Sequence, residues 1–415
     1  MPIQKITSGI IQDGAVAAAD IVSVSNTAIS GLITASQIAA VNGSVITANT
    51  IANSAIQTGA VEGYLRGVNL DFGMRNRIIN GAMVIDQRNS GAAITPSATG
   101  TNIYNVDRWF YFQSQASKMT IQQNSGAITA PAGFSYYLGA NTASAVSIGS
   151  NDYFGVGQMI EGFNTADLAW GTASARPITL SFWVRSSLTG TFGGAIQNGA
   201  QNRSYPFTYT INSANTWEYE TITIPGDTSG TWVGATSSAS IRINFGFGMG
   251  STFSGTSGAW AAGNAMSATG AVSVVGTGAA TWYVTGVQFE EGSVPTPFEY
   301  RHYSSEILLC QRYARTYGDG LQGVGRTTSD PFFNIPFFPN MRVAPTFTLT
   351  DTSVKISDDY ATDYTSSGSS ISQTDASPVG CRISINGFGA ALTIGRHYGA
   401  YGNTNGNFLL LEAEL

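Results

Sequence analysis

Charge is what this sequence has least of. Asp, Glu, Lys and Arg make up 11% of its 415 residues, against roughly 25% in an average soluble protein. Solubility must come instead from hydroxyl and amide side chains and from turns rich in its 49 glycines. A formal net charge of -6 and a pI near 4.9 leave no basic stripe for nucleic acid or an anionic membrane surface. Cysteine is nearly missing: Cys310 and Cys381 are too few for a disulfide framework, lack C-x-x-C spacing, and read as free buried thiols. The two histidines, His302 and His397, lie in no H-E-x-x-H pattern and beside no Cys, and no G-x-S-x-G elbow occurs. No run approaches 18 apolar residues, and MPIQKITSG lacks a basic region followed by an apolar segment. Neither membrane insertion nor a secretion signal is expected, so a role outside the cell would follow release from the cytoplasm by lysis.

A chain this long exceeds the size at which one hydrophobic core stops growing, and two or three domains are expected. Residues 1 to 63 contain no aromatic residue and no Arg. Branched aliphatics nevertheless recur there, many at spacing five: Ile6, Ile11, Val16, Ile21, and later Ile46, Ile51, Ile56, Val61. That spacing fits neither the 3.6 period of a helix nor the 2 period of a flat strand, and IQDGAV at Ile11–Val16 returns as IQTGAV at Ile56–Val61. A repeat unable to bury its apolar edge alone must bury it against copies of itself. Three chains intertwined as a β-repeat shaft satisfy that need.

From about Asn76 aromatics and alternating runs appear. ITLSFWVR places Ile178, Leu180, Phe182 and Val184 on one face and Trp183 on the other, and WEYETITI, IRINFGF and TWYVTGVQF behave alike. Strands separated by Gly, Ser and Asn turns predict a β-sandwich. YSSEILLCQRYARTY then switches period, with Tyr303, Ile307, Cys310 and Ala314 on one stripe and Ser304 as a cap, predicting a helix over 303–317. The strand-like pieces beyond it read as a second, smaller β-domain. The expected fold is mostly β: a shaft over 1–75, a sandwich over 76–302, a linking helix over 303–317 and a C-terminal β-domain over 318–415.

Three ordered blocks, NRIINGAMVIDQRNSG (Asn76–Gly91) with YNVDRWF (Tyr104–Phe110), ITLSFWVRSS (Ile178–Ser187) and TWYVTGVQFEEGSVPTPFEYRHYSSEILLCQRY (Thr281–Tyr313), resemble a module of tailed-bacteriophage tail fibre proteins. The resemblance covers about Asn76 to Tyr317. It implies a jelly-roll domain similar in shape to carbohydrate-binding modules, carried in a homotrimeric fibre whose N-terminus meets the virion through tail, baseplate or adaptor proteins. FFPNMRVAPT (Phe337–Thr346) looks like the start of the β-domain that often follows the module. The Gly/Ala/Ser stretch from Ser251 to Gly278 departs from it.

No catalytic set emerges. The adjacent carboxylates Glu290/Glu291 and Asp358/Asp359 would point to opposite sides of a strand, the wrong arrangement for sharing a glycosidic bond. G-x-G-x-x-G at Gly318–Gly323 follows a predicted helix and lacks the strand-turn-helix context of a dinucleotide site. Asp86, Asp107 and Glu161 show no calcium-loop spacing and read as partners of Arg88 and Arg108 or as turn residues. No metal or cofactor is expected. Aromatic faces flanked by amides are the one plausible ligand chemistry, since sugar C–H groups stack on rings while Asn and Gln take hydroxyls. Trp109, Trp183, Trp217 and Trp282 read as core; Trp170, Trp232, Trp260, Tyr153, Tyr398 and Tyr401 are the candidate ligand contacts, with Asn403 and Asn405 beside the last two.

The function expected is a non-enzymatic tail fibre that binds a host glycan or protein, with a receptor-free structural or decoration fibre and a depolymerising tailspike as alternatives. The shaft pattern predicts that the full chain is a parallel homotrimer. Light scattering should give three chains per particle; one or two would contradict the shaft.

Overall fold

Strand pairing takes over where the alternating aromatic runs begin. A computed structural model of the chain describes residues 74–351, 353–358, 362–389, 391–402 and 407–415. The expected shaft, up to residue 73, therefore lies outside the described residues, as do Asn403 and Asn405. The first strands are β1 (Ile103–Tyr104), β2 (Phe110–Gln113), β3 (Met119–Gln123), β4 (Leu138–Thr142), β5 (Tyr153–Glu161), β6 (Ile178–Ser186) and β7 (Gly190–Asn198). They continue with β8 (Arg203–Ile211), β9 (Glu218–Ile224), β10 (Ala239–Met249), β11 (Ser254–Gly255), β12 (Ala261–Ala262), β13 (Ser267–Ala268) and β14 (Thr281–Glu291).

Two antiparallel sheets result, seven strands in the order β1-β2-β5-β10-β7-β8-β12 and five in the order β3-β4-β14-β6-β9. Period-2 alternation fills the space between them. Ile178, Leu180, Phe182 and Val184 of β6 meet Ile243, Phe245 and Phe247 of β10, all fully buried. On β14 the inward set Trp282, Val284, Val287 and Phe289 skips a residue, because a bulge lies between Thr285 and Gln288. Gly286 sits in that bulge at φ 61, where a Cβ would come within 2.6 Å of the Phe134 ring. The buried Trp282 indole donates to the Tyr209 hydroxyl at 3.0 Å. Each large side chain buried here contributes about 1.5–3 kcal/mol. The sandwich predicted from alternation is present, and its two-sheet form is consistent with a jelly roll.

The Ser251–Gly278 stretch is part of this sandwich. Its β12 extends the seven-stranded sheet by pairing with β8, β13 pairs with β11, and Met266, Val274 and Val275 are buried. Both free cysteines are buried.

The helix expected over 303–317 is shorter. Helix α1 spans Tyr303–Gln311, and β15 (Ala314–Tyr317) follows it. The ARTY run has strand-forming Thr and Tyr and finds a partner in LLLE near the end of the chain, so tertiary pairing overrides helical spacing. Ser304 lies inside the helix, whose N-cap is His302 without a side-chain cap bond, and Tyr303 is exposed. Beyond β15 come β16 (Leu321–Gly325), β17 (Pro331–Pro336), β18 (Thr346–Leu349), β19 (Val354–Asp358), β20 (Asp363–Thr365), β21 (Ile371–Ser377), β22 (Gly380–Ile385), β23 (His397–Gly402) and β24 (Leu409–Glu412). They form a three-stranded sheet, β15-β24-β18, and a seven-stranded one, β20-β19-β23-β16-β17-β22-β21. Phe333, Phe337, Ile356, Ile383, Phe408 and Leu411 centre this second core.

A buried ionic joint fastens the two β-structures. Arg88 donates to Glu412 at 3.0 Å and Glu414 at 2.8 Å and lies 3.3 Å from Asp107. Arg108 also bonds Glu414, and its guanidinium lies 3.5 Å above the Tyr313 ring. Burial works against the Arg88 charge, but Glu414, Asp107 and Glu412 overcome it and hold its pKa above the ordinary arginine value. Glu412 and Glu414 close the chain, so β24 and the tail behind it are drawn onto the sandwich. Glu414→Ala leaves Arg88 and Arg108 short of a buried counter-charge, and denaturant unfolding should show a loss of about 3 kcal/mol or more. Arg176→Ala, at the exposed pair with Glu291, should cost under about 1 kcal/mol; equal effects would contradict the joint's role.

Candidate functional site

The six candidate aromatics separate into three places. Trp170, Trp232 and Trp260 come together beside the edge of the seven-stranded sandwich sheet, with ring centroids 4.7, 5.3 and 5.4 Å apart and edge-on geometry. Their indole N–H groups are spent on the protein itself: Trp170 on the Arg176 carbonyl at 2.7 Å, Trp260 on the Pro225 carbonyl at 2.7 Å, and Trp232 on Asp227 and the Ser229 carbonyl. The trio staples three loops together, and a cavity of about 320 Å³ opens beside Trp170 and Trp232. Of the tryptophans expected in the core, Trp109 and Trp282 are fully buried. Trp183 and Trp217 are half-buried on the outer side, against Tyr219 and Tyr137.

Tyr398 is not a loop residue. It lies on β23, 1% exposed, and its hydroxyl accepts from the Thr393 N–H at 2.9 Å. HYGAYG runs as a central strand between β19 and β16, so Tyr398 and Ala400 take the core phase and Tyr401 the opposite, half-buried one. Burial and the neighbouring Asp363 carboxylate push the Tyr401 phenol up to about 12. The acidic trio is dispersed among structural partners. Asp86 accepts from the Asn89 and Gly91 N–H groups, Asp107 meets Arg88, and Glu161 holds Arg312 through two 2.8 Å bonds.

Tyr153 belongs to a different setting, on the outer face of the seven-stranded sandwich sheet. A cleft of about 630 Å³ opens there, bordered by Asn102, Tyr104, Phe112, Tyr153, Gln201, Arg242, Phe253, Asn264, Met266 and Leu415. Its aromatics form a row: Tyr104 to Phe110 at 5.8 Å, Phe110 to Phe112 at 6.0 Å, Phe112 to Tyr153 at 6.4 Å, and Tyr153 to Phe253 at 5.0 Å. β10 supplies the polar floor. Because Ile241, Ile243 and Phe245 face inward, Arg242 and Asn244 face out, and the Arg242 guanidinium lies 4.6 and 5.0 Å from the Phe110 and Phe112 rings.

A directional chain of hydrogen bonds crosses this floor. Arg242 Nε donates to Asn244 Oδ1 at 2.9 Å, Asn244 Nδ2 to Gln197 Oε1 at 2.8 Å, and Gln197 Nε2 to Asn264 Oδ1 at 2.7 Å. Arginine has no acceptor, so it fixes every amide after it: each carbonyl turns toward the arginine and each NH2 away. Asn264 at the end presents its NH2 outward. On the other side Asn102 Oδ1 faces Arg242 Nη2 at 3.4 Å. Burial lowers the Arg242 guanidinium to about 10, with Tyr104 and Tyr153 pulling weakly the other way.

Sequence reasoning placed Tyr153 among its candidates and missed Arg242, Asn244, Gln197, Asn102 and Asn264. The available signal was RWFYFQ, apolar on both strand faces, which marks a strand covered on both sides. A second was the Arg-x-Asn step opposite the inward face of IRINFGF.

No protein-family model matches the chain, and no curated protein matches it in sequence. Among solved structures it is similar to the enzymatically active domain of bacteriophage CBA120 tailspike protein 4, at 13% identity and a TM-score of 0.28, over 52% of this chain and 22% of that one. It is also similar to CBM4, at 16% identity and a TM-score of 0.26, over 51% of this chain and 98% of the other. A third is a family 11 carbohydrate-binding module from Clostridium thermocellum in complex with a β-1,3-1,4-mixed-linked tetrasaccharide, at 13% identity and a TM-score of 0.24, over 48% and 100%. At these identities and TM-scores the likenesses decide nothing about function, which rests on the cleft's own residues.

Tyr398→Ala should lower unfolding free energy by about 3 kcal/mol, the cost of emptying a core aromatic site. Tyr401→Ala should cost under about 1 kcal/mol. A denaturant series in which the two cost the same would contradict the placement of β23.

Proposed function

We propose that this chain is a tail fibre protein of a tailed bacteriophage, a non-enzymatic trimer that joins the virion through residues 1–75 and touches a host-surface glycan through the cleft on the outer face of the sandwich. The tail fibre part rests on the three ordered sequence blocks between Asn76 and Tyr317. The glycan part is carried by one observation: a cleft where the half-buried Tyr104, Tyr153 and Phe253 rings adjoin a chain of amides ending in free donors. Sugar rings bind such surfaces by stacking C–H groups on the rings while amides and phenols take their hydroxyls. The cleft side chains include no histidine and no carboxylate, so they support binding over hydrolysis, which needs a carboxylate pair across the scissile bond. Glu290, inside the third resembling block, is fully buried and taken by the Thr296 N–H at 2.8 Å and hydroxyl at 2.6 Å.

The receptor surface thus belongs to the sandwich rather than to the Tyr398 strand. Three copies on one fibre would raise a weak single-site affinity through avidity. The test uses the full chain on host cells and host surface polysaccharide. Wild type should bind both and compete with phage for adsorption, while Tyr153→Ala and Asn102→Ala should each weaken binding by about tenfold with unchanged melting temperature. Wild-type affinity in both variants would move the site elsewhere; no binding by wild type would leave a purely structural fibre.

A further inference from the structure

The buried Arg315 guanidinium is held by the Gln311 and Pro339 carbonyls, and those of Arg88 and Arg108 are matched by carboxylates: Arg88 by Asp107, Glu412 and Glu414, and Arg108 by Glu414. Arg242 is not. It is 5% exposed, yet among the described residues no carboxylate lies within 4.0 Å of its nitrogens. Its partners are the neutral Asn244 and Asn102 carbonyl oxygens and two phenyl faces. A cation withdrawn from water without a counter-charge is costly, and the sequence spends several polar side chains to keep it there. Burial has lowered its pKa, but to a value that still leaves it charged at neutral pH.

The arrangement has a polarity. Nη1 has no partner among the described residues and is not sealed off, for Arg242 borders the cleft. Both ends of the hydrogen-bond chain leave NH2 donors unused, Nδ2 of Asn264 and Nδ2 of Asn102. The Tyr104 hydroxyl already donates to a terminal oxygen of Leu415 at 3.0 Å, a group that forms no ion pair with Arg242. Around Arg242 the cleft therefore offers a charge-bearing donor flanked by two neutral ones, the complement of an oxyanion.

Resting on the glycan-binding reading, we propose that the cleft selects a glycan bearing an anionic substituent, a carboxylate or a sulfate, with Arg242 taking the charge and Asn102 and Asn264 its remaining oxygens. A neutral glycan would leave the guanidinium desolvated and unmatched, which disfavours it in the same site. Selection comes from the mismatch as much as from the match.

The experiment is a titration of the full chain against oligosaccharides supplied in pairs: uronate-containing with carboxyl-reduced, and sulfated with desulfated. Wild type should bind one class of acidic member about tenfold tighter than its neutral counterpart, with the preference shrinking as salt is raised. Arg242→Met should erase the preference. Asn264→Asp, which keeps the oxygen accepting from Gln197 and replaces the free donor by a negative charge, should erase or reverse it without disturbing the core. Neutral members bound as well as acidic ones would overturn the charge selection and leave the glycan reading intact, as would a preference surviving in Asn264→Asp. Failure of every oligosaccharide, acidic or neutral, to bind would overturn the glycan reading and this inference with it.

Discussion

A guanidinium taken out of water needs a partner, and that requirement organises this protein. Arg88 lies in a turn before β1 and Arg108 in the turn between β1 and β2, and the carboxylates that answer them, Glu412 and Glu414, stand about three hundred residues further along the chain. Satisfying them forces β24 back onto the sandwich, which gives β15 a strand to pair with and ends α1 at Gln311. The same tail carries Leu415 to the Tyr104 hydroxyl, where it becomes part of the cleft border. Arg242 obeys the same requirement by a different route, with amides, phenyl faces and an open side in place of carboxylates.

β10 shows how one strand serves two purposes. Its Ile241, Ile243, Phe245 and Phe247 hold the sheets together, while Arg242 and Asn244 on the alternate positions begin the hydrogen-bond chain over the outer face. Strand alternation couples the two rigidly, since a one-residue slip would exchange core for floor. A binding face so built is preorganised by the core beneath it, and little ordering remains to be done when a ligand arrives.

Much of the scaffold was legible. ITLSFWVR and IRINFGF announce their inward faces by alternation alone, and each inward residue is buried as expected. The helix was half right: its start was correct, but its extension over ARTY failed because the competing strand partner lies about a hundred residues away, beyond local periodicity. Tyr398 failed for a related reason. Gly and Asn around it suggest a loop, yet β16 and β19 flank it and take it into the core. Aromatic and amide residues of the cleft were individually visible, but Asn102, Gln197, Arg242 and Asn264 are far apart in sequence. Only sheet order brings them into one line.

The central claim is that recognition sits on the outer face of the sandwich sheet, where rings and an unmatched arginine meet. It is tested most directly by hydrogen–deuterium exchange of the full chain with and without host surface polysaccharide. The account predicts slowed exchange in the segments bordering the cleft, around Asn102, Tyr153, Arg242 and Phe253 to Asn264. Slowed exchange confined to the segments around Trp170 and Trp232, or to the β23 strand around Tyr401, would contradict it.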